Sequence, residues 1–157
     1  MTSADDEKKI ALLYPKFQDF VLDFMNEVMN EGISGGIFEG LRSYAKSDTD
    51  YAQGRTTAGQ IITNAKGGQS WHNFGLAIDF VFIDKHGWTW KGDFNRIGKI
   101  AKKVGLEWGG SWAKFPDSPH VQKTFGEDIR KLDYIYRNSV ASGAPLHAVW
   151  KYLDRPK

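Results

Sequence analysis

An α+β fold is what this sequence predicts, on three observations. Residues 15–31 carry apolar side chains at helical spacing, and residues 76–83 form an apolar run of strand length. Around them the signals follow the order helix, strand, loop, hairpin, helix, strand, strand, helix. At 157 residues the chain has the length of one compact domain. Its 41% hydrophobic and 14% aromatic content can furnish a core, which separates it from disordered chains.

The first helix is read from Phe17, Phe20, Val21, Phe24 and Val28, which share one face of a helical cylinder. Pro15 suits a first helical position and Gly32 a stop. Ile33, Ile37 and Phe38, set among glycines, predict a short strand over 33–40, and residues 46–53 a short helix. From Gly54 to Gln69 the chain is rich in Gly, Thr, Asn and Gln. That composition predicts a long surface loop, and long loops in compact domains are commonly functional.

Residues 76–83 are apolar on both faces, the pattern of a central strand. Asp84-Lys85-His86-Gly87 reads as a turn into a second strand at 88–90. Asp93 is placed to N-cap a helix running to about residue 104, with Phe94, Ile97, Ala101 and Val104 inside and Lys99, Lys102 and Lys103 outside. Leu106-Glu107-Trp108 predicts a short strand, another starts near His120, and residues 127–142 read as helix. No repeat or linker interrupts the chain.

Charge and composition exclude several functions. The net charge is +2, and no basic block exceeds Lys102-Lys103, so nucleic acid is not an expected partner. Without cysteine there are no disulfides, zinc fingers, iron–sulfur clusters or thiol nucleophiles, and any metal site must use His, Asp or Glu. The start of the chain is polar and acidic, with no apolar segment behind a basic one. Neither a secretory signal nor membrane insertion is expected.

Asp79 is the first residue that points to chemistry. A carboxylate within an apolar strand costs several kcal/mol unless it is paired or bound to a cation. A buried Arg or backbone N–H groups would serve as well as a metal. His72 lies seven residues earlier. On a straight strand the two would face opposite sides, and on a straight helix they would be about 10.5 Å apart along the axis. They can share an ion only if the chain bends between them, and Gly75 is where it can bend.

The third piece is Asp117-Ser118-Pro119-His120, where Pro119 disfavours helix at Ser118. His120 can complete a site of two imidazoles and one carboxylate, which leaves a fourth tetrahedral position open as catalytic zinc sites do. Asp117, three residues back, is the candidate general base for a water acidified by the metal. Glu107 is the rival base, read as supporting or structural. Isolated histidines are commonly surface or core residues, and His86 and His147 are read that way.

The run Ser70-Trp71-His72-Asn73-Phe74-Gly75-Leu76-Ala77-Ile78-Asp79 resembles the Ser-x-His-x-x-Gly-x-Ala-x-Asp signature of the zinc D-Ala-D-Ala carboxypeptidase and L-alanyl-D-glutamate peptidase superfamily. Gly40-Leu41-Arg42-Ser43-Tyr44 and Tyr51-Ala52-Gln53-Gly54-Arg55-Thr56 resemble its first motif block, and Thr63-Asn64-Ala65 with Gly67-Gly68 the loop before the signature. Asp117-Ser118-Pro119-His120 resembles the closing motif. It has Asp and Pro where the carboxypeptidases show Glu and an aromatic residue, which is closer to the L-alanyl-D-glutamate endopeptidases, including phage endolysins.

The resemblance covers roughly residues 35–125. It implies a hedgehog/D,D-peptidase-like fold, a small antiparallel sheet flanked by helices with a zinc site at the sheet edge. It implies one peptidase domain over 1–157, with 127–157 as a helical tail. Zinc would be held by His72, Asp79 and His120, with Asp117 as base. Arg42 would bind substrate or steady the oxyanion, unless it makes a structural salt bridge. Ser70 would orient the His72 loop or touch substrate. The implied reaction is cleavage of the L-Ala–D-Glu bond in the peptidoglycan stem peptide, by a monomer made in a phage host's cytoplasm and released to the wall. D-Ala-D-Ala carboxypeptidase activity and a non-catalytic zinc-bearing wall-binding module are the alternatives. The aromatic tail would either grip sugar chains or close the core with a helix.

Overall fold

The apolar run around Phe80 becomes the middle of a sheet. In the computed structural model, which describes residues 2–157, the chain divides into two compact units. The first comprises Met1–Leu41 and Leu76–Lys123, the second Arg42–Gly75 and Thr124–Lys157.

The first unit holds the whole sheet. Its strands are β1 (Gly35–Glu39), β2 (Ala77–Asp84), β3 (Gly87–Thr89), β4 (Glu107–Trp108) and β5 (His120–Gln122). They run in the order β1-β2-β5-β4, every pairing antiparallel, with β3 also paired to β2. Strand β2 is central because Ala77, Ile78, Phe80 and Val81 are buried on both its faces.

Helix α2 (Pro15–Asn30) contributes Phe17, Val21, Phe24, Met25 and Val28 to this core, and Phe24 meets Phe80 edge-on at 6.0 Å. Helix α4 (Phe94–Lys103) adds Ile97, Ile100 and Ala101. It is capped by Asp93, whose side chain accepts from the Arg96 N–H.

The polar, acidic N-terminus forms helix α1 (Ala4–Ala11), an element for which the sequence reading offered no assignment. Ser3 caps it, and the helix then works on the outer edge of β1. Buried Asp6 accepts from the Ile37 N–H at 2.8 Å, and Lys9 donates to the Ile37 carbonyl at 2.8 Å. Both main-chain groups of an edge residue are thereby satisfied, which blocks pairing with another strand. A polar, acidic pattern hid the helix because its task is to hydrogen-bond a strand edge rather than bury an apolar stripe.

The second unit is helical: α3 (Tyr44–Ala52), a 3₁₀ turn at Trp71–Phe74, α5 (Ile129–Ser139) and α6 (Pro145–Leu153). The helix expected over 127–142 ends earlier, passes into a 3₁₀ turn at Val140–Ser142, and is followed beyond Gly143 by a separate helix. Tyr44 stacks on Tyr136 with ring centres 3.9 Å apart and donates to Asp133 at 2.8 Å. Arg137 bonds both Asp133 and the Gly67 carbonyl, which fixes the loop before the 3₁₀ turn. Helix α6 buries Val149 and Leu153, so the tail closes a core, as one of its two readings had it. The stretch from Gly54 to Gln69 has neither helix nor strand, as expected of a loop. Arg55 staples it through the Tyr51 and Thr63 carbonyls and the Asn64 side chain. No helix among the described residues is long and apolar enough to cross a membrane.

Candidate metal centre

The antiparallel register of β2 and β5 sets Asp79 opposite His120 at the last pair of their ladder. Directly opposed residues lie close enough for side chains to meet, and the His120 Nδ1 is 3.4 Å from the Asp79 Oδ1. Asp79 is less enclosed than its apolar flanks suggested, with 16% of its side chain exposed, whereas His120 is buried. The other ring nitrogen, Nε2, lies 2.7 Å from the Gln122 Oε1. Burial depresses the His120 pKa, but the hydrogen bond and charge of Asp79, the Gln122 bond and the Asp117 charge outweigh it and raise the pKa above its ordinary value. Negative groups thus surround Nδ1 and favour a cation there.

Asp117 reaches the same atom, its Oδ2 3.9 Å from the His120 Nδ1, with half its side chain exposed. The loop that presents it is held by main-chain bonds. The Asp117 N–H donates to the Gly109 carbonyl, the His120 N–H donates to the Asp117 carbonyl, and the Trp108 indole donates to the Ser118 carbonyl at 2.7 Å. Gly109 permits this close approach, since a Cβ there would stand 2.6 Å from the Asp117 carbonyl oxygen. The structure brings Asp117, the expected general base, to His120, while the Glu107 carboxylate accepts from the Gln122 amide at 2.6 Å.

His72 sits in the 3₁₀ turn Trp71–Phe74. Ser70 caps the turn and its hydroxyl accepts from the His72 N–H. Gly75 ends the turn at φ +71°, a left-handed conformation that glycine adopts without strain. The bend required between His72 and Asp79 is present at the residue expected to supply it. Arg42 donates its N–H to the His72 carbonyl at 2.9 Å, and its guanidinium Nε is 4.0 Å from Asp50, with both side chains 13% exposed. Its side chain therefore stands within ion-pair range of Asp50. His86 lies in the turn between β2 and β3 and His147 is exposed, both away from any ligand set.

Sequence reasoning passed over Asn73. Its buried side chain accepts from the N–H groups of Gly68 and Ser70 and donates to the Arg42 carbonyl and the Ser47 hydroxyl. One amide thereby ties the loop, the turn and the first motif block together. The Ser-x-x-Asn spacing, a variant of the capping box, was the available signal. Replacing Asn73 by Ala strands several buried polar groups and is expected to cost about 1–3 kcal/mol. Denaturant unfolding measures this, and an unchanged midpoint would remove Asn73 from the support of the turn.

His72, Asp79 and His120 each offer one ligand atom, and the three atoms lie within 4.8 Å of one another. Among the described residues this is the one such group of His, Cys, Asp or Glu. Two neutral nitrogen donors and one carboxylate suit zinc, and two of the three residues are buried, as a resident ion requires. The donor set fits the metal.

Known proteins share the fold and stretches of the sequence. Residues 63–123 match the peptidase M15 family profile described as D-alanyl-D-alanine carboxypeptidase. The fold is D,D-peptidase-like. It is shared with the L-Ala D-Glu endopeptidase ChiX of Serratia marcescens at a TM-score of 0.57 and 24% identity, over 78% of this chain and 88% of that one. A mutant of the D,D-pentapeptidase VanY of the VanB-type vancomycin-resistance cassette, solved with Zn(II), matches at a TM-score of 0.52 and 14% identity, over 76% of each chain.

In sequence, the chain resembles the L-alanyl-D-glutamate peptidases. It is 47% identical over 95 residues to the peptidoglycan L-alanyl-D-glutamate endopeptidase CwlK of Bacillus subtilis (strain 168), covering 54% of this chain and 57% of that protein. It is 39% identical over 67 residues to the L-alanyl-D-glutamate peptidase of Listeria phage A118, covering 38% of this chain and 24% of that protein. The chain thus spans little more than half of the first relative's length and about a quarter of the second's.

Proposed function

We propose that this chain is a zinc-dependent endopeptidase that hydrolyses the L-Ala–D-Glu bond of the peptidoglycan stem peptide. The observation that carries the reading is the His72–Asp79–His120 group, with the Asp117 carboxylate beside the same His120 nitrogen that faces Asp79. In this proposal the three residues hold zinc. When bound, zinc supplies Lewis-acid polarisation of a peptide carbonyl and acidifies water.

Asp117 then acts as general base, taking a proton from the attacking water at Oδ2 and passing it to the leaving amine. Its half-exposed position lets substrate reach it. Arg42 is assigned to steadying the substrate or the developing oxyanion, and Ser70 to holding the His72 turn at the substrate's edge. We read residues 1–157 as one peptidase domain, with its motif core at 35–125. Action as a monomer and phage-type release from a host cytoplasm belong to the same proposal, and resemblance to a phage peptidase supports the latter.

Digestion of purified peptidoglycan tests the reading. New N-terminal D-Glu is the expected product, and a chelator is expected to abolish its release. The carboxypeptidase alternative is favoured by the description of the family profile matched over residues 63–123. Release of free D-Ala with no new D-Glu amine would establish that alternative instead. Stoichiometric zinc without any cleavage would leave a wall-binding module.

A further inference from the structure

Three side chains of β4 and β5 form a hydrogen-bonded line that ends on the proposed ligand His120. Glu107 and Gln122 are paired across the β4–β5 ladder, so their side chains stand together. The Gln122 Nε2 donates to the Glu107 Oε2 at 2.6 Å, and the Gln122 Oε1 lies 2.7 Å from the His120 Nε2. Gln122 is 4% exposed, while Glu107 opens to solvent.

The order of donors along this line follows from chemistry. An ionised carboxylate only accepts, so Glu107 draws the NH2 end of the Gln122 amide toward itself. The amide oxygen is then left facing His120, and it too only accepts. The His120 Nε2 must therefore be the ring nitrogen that carries the proton. In the neutral ring, that places the lone pair on Nδ1, the atom 3.4 Å from Asp79. A neutral imidazole binds metal through its unprotonated nitrogen, and the partner of the other nitrogen decides which one that is.

We propose that Glu107 and Gln122 are positioning residues that select the His120 tautomer and ring orientation, and so set the affinity of the centre for zinc. This rests on the zinc reading given above and adds to it a role for two residues that the reaction itself does not use. Glu107, considered as a rival base, acts instead through Gln122.

The test is zinc affinity in the purified protein, by competition with a chromogenic chelator, with His120→Ala as the reference for a lost ligand. Gln122→Leu keeps the volume but removes the acceptor, and is expected to weaken zinc binding about 10–100-fold. Glu107→Ala, at an open position where folding is not at stake, is expected to weaken it less, because the Gln122 amide becomes free to turn over. The exchanged pair Glu107→Gln with Gln122→Glu preserves the direction of the line. An amide at 107 donates to a carboxylate at 122, which accepts from Nε2. Recovery of most of the lost affinity is expected, which a packing role would not produce.

A second readout needs no metal. Long-range proton–nitrogen spectra of the metal-free protein at alkaline pH are expected to show the His120 proton on Nε2 in the wild type and a shift toward Nδ1 in Glu107→Ala. Wild-type zinc affinity in both Gln122→Leu and Glu107→Ala, alongside loss in His120→Ala, would overturn the positioning role and leave the zinc reading standing. A wild-type protein that binds no zinc would overturn both.

Discussion

Replacing Asp117 by Asn is expected to lower the rate of wall-peptide cleavage by about 10²–10⁴-fold, the usual share of a general base, while zinc content stays at the wild-type level. The two side chains match in shape, and the loop that carries Asp117 is held through main-chain and indole bonds that the substitution leaves alone. Half-exposed, the residue contributes little to the core. The change removes the capacity to accept a proton at the carboxylate that lies 3.9 Å from the His120 Nδ1. Single-turnover kinetics on purified muropeptides, together with metal analysis of the same sample, measure both halves of this expectation. Turnover within a few-fold of wild type would remove Asp117 from the role of base.

His72→Ala is expected to lose both zinc and activity. Two remaining ligands hold zinc far more weakly than three, and binding energy that depends on a preformed site falls steeply when one donor is deleted. The turn itself should survive. Its cap is the Ser70 hydroxyl, its lateral tie is the Asn73 amide, and the His72 carbonyl that accepts from Arg42 is main chain. The fall in activity would thus report the missing imidazole rather than a collapsed loop. Zinc stoichiometry after dialysis, with circular dichroism as the check on folding, separates the two. Full zinc occupancy in this variant would mean that the ion is held elsewhere. In the wild type, chelator-treated protein should regain cleavage on addition of zinc.

The contrast between Asp117 and Glu107 shows how a site becomes legible. Both are acidic residues near a proposed ligand in sequence or in space, and both were candidates for the same proton. The three-residue link from Asp117 to His120 is local, so it could be read along the chain, and the 3.9 Å approach agrees with it. The engagement of Glu107 by Gln122 depends on the register between β4 and β5. Nothing within either short strand specifies that register.

Asn73 falls between these cases. Its spacing from Ser70 carried a capping signal. Its bonds to Arg42 and Ser47, 31 and 26 residues away, carried none.

By itself the sequence determined the long helix α2, the central strand β2, the loop at 54–69 and the bend at Gly75. These depend on periodicity, on runs of apolar side chains and on the conformational freedom of glycine, all properties of neighbouring residues. It also marked the four residues His72, Asp79, Asp117 and His120 through motifs whose spacing is local. Only the tertiary structure decided that a polar N-terminus would become a helix sealing the edge of β1, that the tail would split into two helices, and that Glu107 would be bound to Gln122. Each of these depends on partners distant in the chain, and such pairings arise from strand register and helix placement, which local patterns leave open.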